Sequence, residues 1–235
     1  MTTDTFVKHY SDQHTAESAA AHRSWLAGLN SGVRLPQLRA VQPGRLVFEH
    51  LGDRQLGPAD LDAAAEALGR IHAAAHTHEL HAASLDQPHT AHGLVITDFI
   101  TPRAAALQHL PLPIPGLPVA FYKDANIRNF LHTGDGIALV DFDDLTLAPF
   151  GYDLAKLIIS TAMTFGRLTN EQIDQARQAY NTEAGRAGAA ATCTADALQL
   201  YCEFHHHLTA RYLHRNGYQH PWPHVRPWPT PQVIP

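Results

Sequence analysis

Long runs of any one kind are missing from this chain. Its 235 residues carry 17 Lys and Arg against 22 Asp and Glu, a formal net charge of −5, and no Lys/Arg-rich segment occurs. That excludes a protein whose main business is coating the phosphates of a nucleic acid. No uninterrupted apolar run approaches the roughly 18 residues that span a bilayer, and the opening MTTDTFVKHY lacks the apolar stretch of a secretory signal. Only two cysteines occur, Cys193 and Cys202. On a predicted helix they would lie about 13 Å apart, beyond disulfide reach, a pattern that suits a reducing cytoplasm. The expectation is therefore a soluble cytoplasmic protein with no nucleic-acid and no membrane partner. What is plentiful is apolar: 45% of the residues, enough for a real core in one large domain or two modest lobes.

The first 52 residues read as a small β-rich unit with one helix. Phe6 to Tyr10 is a strand candidate, and LRAVQPGRLVFEHL reads as two strands around a turn at Pro43-Gly44. Between them AESAAAHRSWLAGLNSG places Ala19, His22, Trp25, Leu26 and Leu29 on one helical stripe. From Pro58 the pattern turns helical, with Leu61, Ala64, Ala65, Leu68, Ile71, His72 and Ala75 on a buried face. Another helix starts at Thr101-Pro102. Residues 117–122 form a short extended piece, and NFLHTGDGIALVDFD reads as a hairpin. Helices return from Tyr152: one through DLAKLIISTAMTF, one opened by a Thr169/Gln172 capping box, and a last one closed by Asn216-Gly217. The stretch HPWPHVRPWPTPQVIP carries too many prolines for a helix or a central strand and is expected to wrap or dangle as a tail.

The chemistry concentrates in FYKDANIRNFL, residues 121–131, and the VDFDD that follows the hairpin. A loop holding Asp124 and Asn129, beside a hairpin arm ending in Asp141, can bring two carboxylates and an amide oxygen to one point. Oxygen-only ligands of that kind suit hard Mg²⁺ rather than zinc. Phosphoryl transfer uses such an arrangement, because it is mostly positioning, charge neutralisation and one carboxylate oriented toward the acceptor hydroxyl. Asp124 is the candidate base, Asn129 and Asp141 the candidate metal ligands, with Asp143 as an assistant. On this reading Asp124→Ala lowers turnover roughly 10² to 10⁴-fold without unfolding the chain.

The spacing Asp-x-x-x-x-Asn, then a hairpin to Asp-Phe-Asp, is similar to the protein-kinase pattern, and it more closely resembles the aminoglycoside phosphotransferase and choline kinase-like family. Tyr152-Asp153-Leu154-Ala155 matches the segment that follows the metal stretch there. The resemblance covers residues 6 to about 160 in order. It implies an α+β, protein kinase-like two-lobed fold: an abbreviated N-lobe at 1–52, a mainly helical C-lobe at 53–220, and a Pro/Trp-rich tail at 221–235. It also implies roles. Lys8 looks like the strand lysine on the phosphates of ATP (or GTP), and Glu17 like its helix partner. Glu49, His50 and Leu51 look like the hinge at the nucleotide base, and Asp153 like a loop brace that does not react. The implied partner is a small-molecule hydroxylated substrate, with an antibiotic or other natural product as a prior and a homodimer left open.

The sequence departs from that family in two places. Tyr122-Lys123 stands where the family has His-Gly, so Lys123 either touches the γ-phosphate or points to solvent. Only seven residues precede Lys8, too few for the glycine-containing hairpin that covers the phosphates there. A competing expectation follows: a pseudokinase-type binding protein that keeps the fold without catalysis. The 18 histidines raise zinc, but the cysteines supply no paired spacing, and His72 reads as a core ring. Of His205, His206 and His207, about 100° apart around a helix, one or two can face a pocket. For the acceptor, Glu183, Asp196 and Glu203 would suit a cationic aminoglycoside, while Tyr201, Phe204 and Tyr212 would suit a choline cage.

Overall fold

The computed structural model describes residues 5–109, 111–215 and 217–229. Near the N-terminus β1 (Thr5–His9), β2 (Leu38–Gln42) and β3 (Arg45–Glu49) form an antiparallel sheet in the order β1-β3-β2. The β2–β3 pairing slips by one residue between Leu38 and Ala40. Helix α1 (Gln13–Gly28) packs on this sheet. Asp12 caps it by accepting the Thr15 N–H at 2.8 Å, and the stripe expected from its 3.6-residue period is buried, from Ala19 through Leu29.

Helix α2 (Leu61–Ala75) follows a turn at Pro58–Asp60, and all seven residues assigned to its apolar face are buried. It lies against α5 (Asn170–Ala184) so closely that a Cβ on Gly69 would sit 2.4 Å from the Tyr180 carbonyl oxygen. α4 (Tyr152–Phe165) is covered on every side from Tyr152 to Met163. It begins after Gly151, whose φ of 85° and contact with Cys193 leave no room for a side chain. α5 opens with the reciprocal Thr169/Gln172 cap.

Four strands build the floor on which the loop sits. β6 (Val119–Tyr122) pairs with β9 (Thr146–Pro149), and β7 (Phe130–Thr133) with β8 (Gly136–Leu139). Neither β9 nor the small hairpin β4 (His89–Ala91) and β5 (Leu94–Ile96) was anticipated. β9 lacks a period-2 pattern because it is buried at nearly every position. α3 (Ala104–His109) continues a turn at Thr101–Arg103.

α6 (Ala195–Thr209) is shorter than expected, since the chain tightens into a turn at Ala210–Tyr212; Asn216 of the anticipated stop lies outside the described residues. The proline-rich segment wraps as far as residue 229. Trp222, in the short α7 (Trp222–Val225), is fully buried, and both Trp222 and Trp228 donate their indole N–H to Glu203 on α6, at 3.0 and 3.1 Å. Residues 230–235 lie outside the described residues. No helix among the described residues is long and apolar enough to cross a membrane.

Candidate active site

The loop from Lys123 to Asn129 is held by main-chain hydrogen bonds to α4. The N–H groups of Lys123 and Ala125 donate to the two carboxylate oxygens of Asp153, at 3.1 and 2.8 Å, and that of Ile127 donates to Ser160 Oγ at 3.0 Å. Three alternate amides thus face one helix. Asp153 is fully buried, and burial pushes its pKa up to about 6 against the opposing pull of these amides and of Lys123. From the other side, Asn126 donates to the Tyr218 hydroxyl at 3.0 Å.

Two non-glycine residues in this region have left-handed backbone, Asp124 at φ 60° and Asp141 at φ 67°. Aspartate tolerates this conformation better than most side chains, at a cost of order 1 kcal/mol or more. Both residues are candidate site residues. Asp124 Oδ1 accepts from the Tyr122 hydroxyl at 3.0 Å and lies 2.9 Å from Lys156 Nζ, while no contact among the described residues engages Oδ2. Asn129 donates its amide N–H to the Asp124 carbonyl at 2.8 Å, which leaves its amide oxygen as a ligand.

A cleft of about 670 Å³ is lined by Asp124, Asn129, Asp141 and Asp144, together with Lys156, Arg128 and a wall from the Thr101–Arg103 turn and α6. A second cavity, of about 310 Å³, is lined by Phe6, Lys8, the 48–53 segment, Phe142 and Asp141. Asp141 and Arg128 belong to both. The expected base, the two expected metal ligands and the expected hinge residues Glu49, His50 and Leu51 therefore line adjoining spaces.

Other expected site residues are placed differently. Lys8 does not meet Glu17: its ammonium lies between Asp141 Oδ1 at 2.6 Å and Asp143 Oδ2 at 2.7 Å. Glu17 is exposed and accepts a hydrogen bond from Gln13 of its own helix. Its position lies off the Ala16, Ala19 and His22 stripe that α1 buries, so the side chain points to solvent. Lys123 is buried rather than solvated, and its ammonium donates to the Val140 carbonyl at 3.0 Å; it lines neither cavity. Burial pulls its pKa down, against Asp153, Asp141 and Asp124. The Glu49 carboxylate is occupied by Arg34 and the Gln37 N–H.

The electrostatics favour a cation beside Asp141. Burial works against the charge on Lys8, yet Asp141 and Asp143 outweigh it and raise its pKa; reciprocally, Lys8 lowers that of Asp141 despite burial. Asp144 goes the other way, pushed up by burial and then by the charges of Asp124, Asp141 and Asp143. Crowded carboxylates with a bridging ammonium and a free amide oxygen are a donor set that fits a hard divalent cation. Among the described residues no three His, Cys, Asp or Glu side chains are already arranged as a ligand cluster.

Two contributors had not been anticipated. Asp144 only extends the acidic stretch begun by Asp141 and Asp143, and nothing in the sequence marks it off from them. Lys156 lies one residue beyond the recognisable Tyr-Asp-Leu-Ala and looks, in sequence, like an ordinary helix lysine. It is buried; burial alone would lower its pKa, but Asp124 and Tyr218 raise it. Of the three histidines only His205 lines the cleft, its ring 4.1 Å from that of Tyr152. The proposed acceptor acids are elsewhere. Glu203 binds the two tryptophans and Arg226, Glu183 pairs with Arg186, and Asp196 is exposed at the start of α6. Tyr201 and Phe204 pack behind Tyr152, so only Tyr212 of the suggested cage reaches the cleft. His72 is a core ring, its Nδ1 2.8 Å from the Tyr180 hydroxyl, while Nε2 has no hydrogen-bond partner.

A comparison with curated proteins finds no match. Among solved structures the chain is similar to choline kinase LicA from Streptococcus pneumoniae, with a TM-score of 0.56 and 14% identity over 88% of this chain and 75% of that one. It is also similar to aminoglycoside phosphotransferase APH(3'')-Id from Streptomyces rimosus in complex with ADP and streptomycin, with a TM-score of 0.50 and 16% identity over 86% and 85% of the two chains. A third is amicoumacin kinase hAmiN in complex with AMP-PNP, Ca²⁺ and Ami, with a TM-score of 0.53 and 15% identity over 89% and 73%. Likeness at these identities establishes the α+β protein kinase-like fold and nothing finer. The family model described as "Phosphotransferase enzyme family" matches residues 2–191, which take in the sheet, the 123–129 loop, the hairpin and the Asp153 brace. The α6 wall of the cleft lies beyond that match, but with most of its length matched the chain belongs to the phosphotransferase enzyme family.

Proposed function

We propose that this protein is a cytoplasmic, Mg²⁺-dependent small-molecule kinase that moves the γ-phosphoryl group of ATP (or GTP) to a hydroxyl. One observation carries the reading: Asp124, Asn129, Asp141 and Asp144 line a single cleft that adjoins a smaller cavity beneath Lys8. The smaller cavity is mostly apolar, with Phe6, Phe48, Leu131 and Phe142 around it, and its 48–53 edge offers backbone groups to a nucleotide base. Lys8 and Arg128 would hold the phosphates, Arg128 from its position on both spaces.

In the reaction the acceptor hydroxyl oxygen bonds to the γ-phosphorus as the bond to the β–γ bridging oxygen breaks. The nucleoside diphosphate leaves with that electron pair. The hydroxyl proton passes to Asp124, whose Oδ1 is fixed by Tyr122 and Lys156 and whose Oδ2 is available. Asn129 and Asp141, with Asp143 or Asp144 assisting, would hold Mg²⁺, which when bound neutralises phosphate charge.

Labelled ATP, incubated with the protein and a panel of hydroxylated small molecules, tests this. Transfer should require Mg²⁺ and fall roughly 10² to 10⁴-fold in Asp124→Asn. Transfer undiminished in that variant rejects Asp124 as the base. Mg²⁺-dependent nucleotide binding with no transfer to any acceptor would mark a binding protein on a kinase frame.

A further inference from the structure

The acceptor side of the cleft is cationic. Its wall is built from residues 102–103 and 205–218, and neither segment contains an Asp or Glu. What the wall does present is Arg103 and Arg211, with His205 and Tyr212 between them. The carboxylates of the cleft, Asp124, Asp141 and Asp144, all belong to the catalytic side.

Arg103 is an unusual arginine. It is 6% exposed, and its guanidinium lies 4.5 Å from the Phe99 ring centroid, 5.0 Å from that of Tyr152 and 5.1 Å from that of Tyr122. Its hydrogen bonds run to the Tyr152 hydroxyl at 3.1 Å, the Phe99 carbonyl at 3.0 Å and Thr146 Oγ1 at 2.9 Å. All three acceptors are neutral. No carboxylate among the described residues lies within ion-pair distance of it, although a buried charge without a counter-ion is costly. Those bonds use three of the five N–H donors of a guanidinium, and one remains on each terminal nitrogen, the fork that suits a planar oxyanion. Arg211 also has no acid partner among the described residues; it is exposed, 4.8 Å from the Tyr212 ring centroid. Burial, then Lys156 and Arg103, hold the pKa of His205 well below the usual range, so this ring is neutral and offers Arg103 no counter-charge.

We propose that the acceptor is a hydroxylated oxyanion, a carboxylate or a phosphate monoester, whose charged end is held by Arg103 and Arg211 while its hydroxyl lies at Asp124. A cationic aminoglycoside or choline would meet two arginines there instead of acids. The proposal rests on the phosphotransferase reading for the fate of the hydroxyl, whose oxygen takes the γ-phosphoryl group as its proton goes to Asp124. The anion site itself is a binding statement and is tested separately.

Four probes share one six-carbon polyhydroxylated chain: gluconate, sorbitol 6-phosphate, sorbitol and glucamine. Titration calorimetry of the whole protein, without nucleotide, should show at least one of the two anions binding ten-fold or more tightly than sorbitol, with glucamine weakest. Which anion binds distinguishes carboxylate from phosphate. Added NaCl should weaken the binding, and Arg211→Ala, at an exposed position, should weaken it about ten-fold with an unchanged melting temperature. Arg103→Lys, which keeps the charge but loses the fork, should also weaken it. Anions that bind no better than sorbitol or glucamine, or binding indifferent to both variants, overturn the proposal. Labelled ATP then separates the two ideas: anions that bind while no acceptor of the wider hydroxylated panel receives label leave the anion site standing and count against the phosphotransferase reading alone.

Discussion

Replacing Asp124 by asparagine removes more than the proposed base, because it leaves Lys156 without its carboxylate. The two groups lie 2.9 Å apart, with side-chain exposures of 31% for Asp124 and 7% for Lys156. Breaking an ion pair buried at both ends costs about 3–5 kcal/mol, and an exposed one about 0–1 kcal/mol. One end here is buried and the other about a third open, so Asp124→Asn should cost about 2 kcal/mol and lower Tm by about 4–8 °C in a chain of this size. Lys156→Met keeps the apolar stem beside Tyr218 and leaves Asp124 able to rehydrate, at a cost under about 1 kcal/mol. The double variant should match Lys156→Met, giving a coupling energy of about 2 kcal/mol. Urea denaturation of the four proteins measures the cycle, and steady-state kinetics of the same set reads the loss of turnover. Asp124→Asn as stable as the wild type, with purely additive effects in the double variant, would refute a buried ammonium dependent on Asp124.

Acidification should destabilise the fold before any carboxylate of ordinary pKa is neutralised. His72 is held at about 3 and His205 well below the usual range, both by burial, so the unfolded chain takes up protons first and stability falls as pH drops through about 6.5. From pH 7.5 to 5.5 the two histidines together remove about 3 kcal/mol, and Asp153, whose folded pKa is raised, returns about 1 kcal/mol. Urea midpoints should therefore fall over that interval, with His205→Gln reducing the net change to about a third; a flat profile contradicts it. Gly69→Ala forces α2 off the Tyr180 carbonyl and should cost about 1–3 kcal/mol, seen as a Tm lower by about 2–12 °C, whereas an unchanged Tm would mean that the helices separate freely. In Lys8→Met, Asp141 and Asp143 lose their shared ammonium, so adding Mg²⁺ should raise Tm further than in the wild type. Equal shifts would argue against a divalent cation beside Asp141.

Much of the architecture was legible because it rests on local rules. The apolar faces of α1 and α2 follow the helical period, the Thr169/Gln172 cap is a four-residue signal, and the hairpin of β7 and β8 is marked by its glycine-bearing turn. β9 escaped because burial on both faces removes the alternation that marks a strand. α6 ends early with no glycine or proline at its end: after Thr209 the chain tightens into the Ala210–Tyr212 turn, a change that no local signal marks. The proline-rich segment could be read as non-helical, but not that Trp222 and Trp228 would share one carboxylate on α6.

The candidate site divides along the same line. Residue type and spacing along the chain determined that Asp124, Asn129 and Asp141 form one oxygen-rich group, since a short loop and the hairpin after it can return the chain to one point. Which cations attend that group was decided only by the tertiary structure. Lys8 reaches Asp141 across 133 positions and passes over the nearby Glu17, Lys156 reaches Asp124 from a helix, and Lys123, beside Asp124 in sequence, turns into the core. A carboxylate's counter-ion is selected by distance and burial in the folded chain, and neither quantity is encoded in the residues adjacent to it.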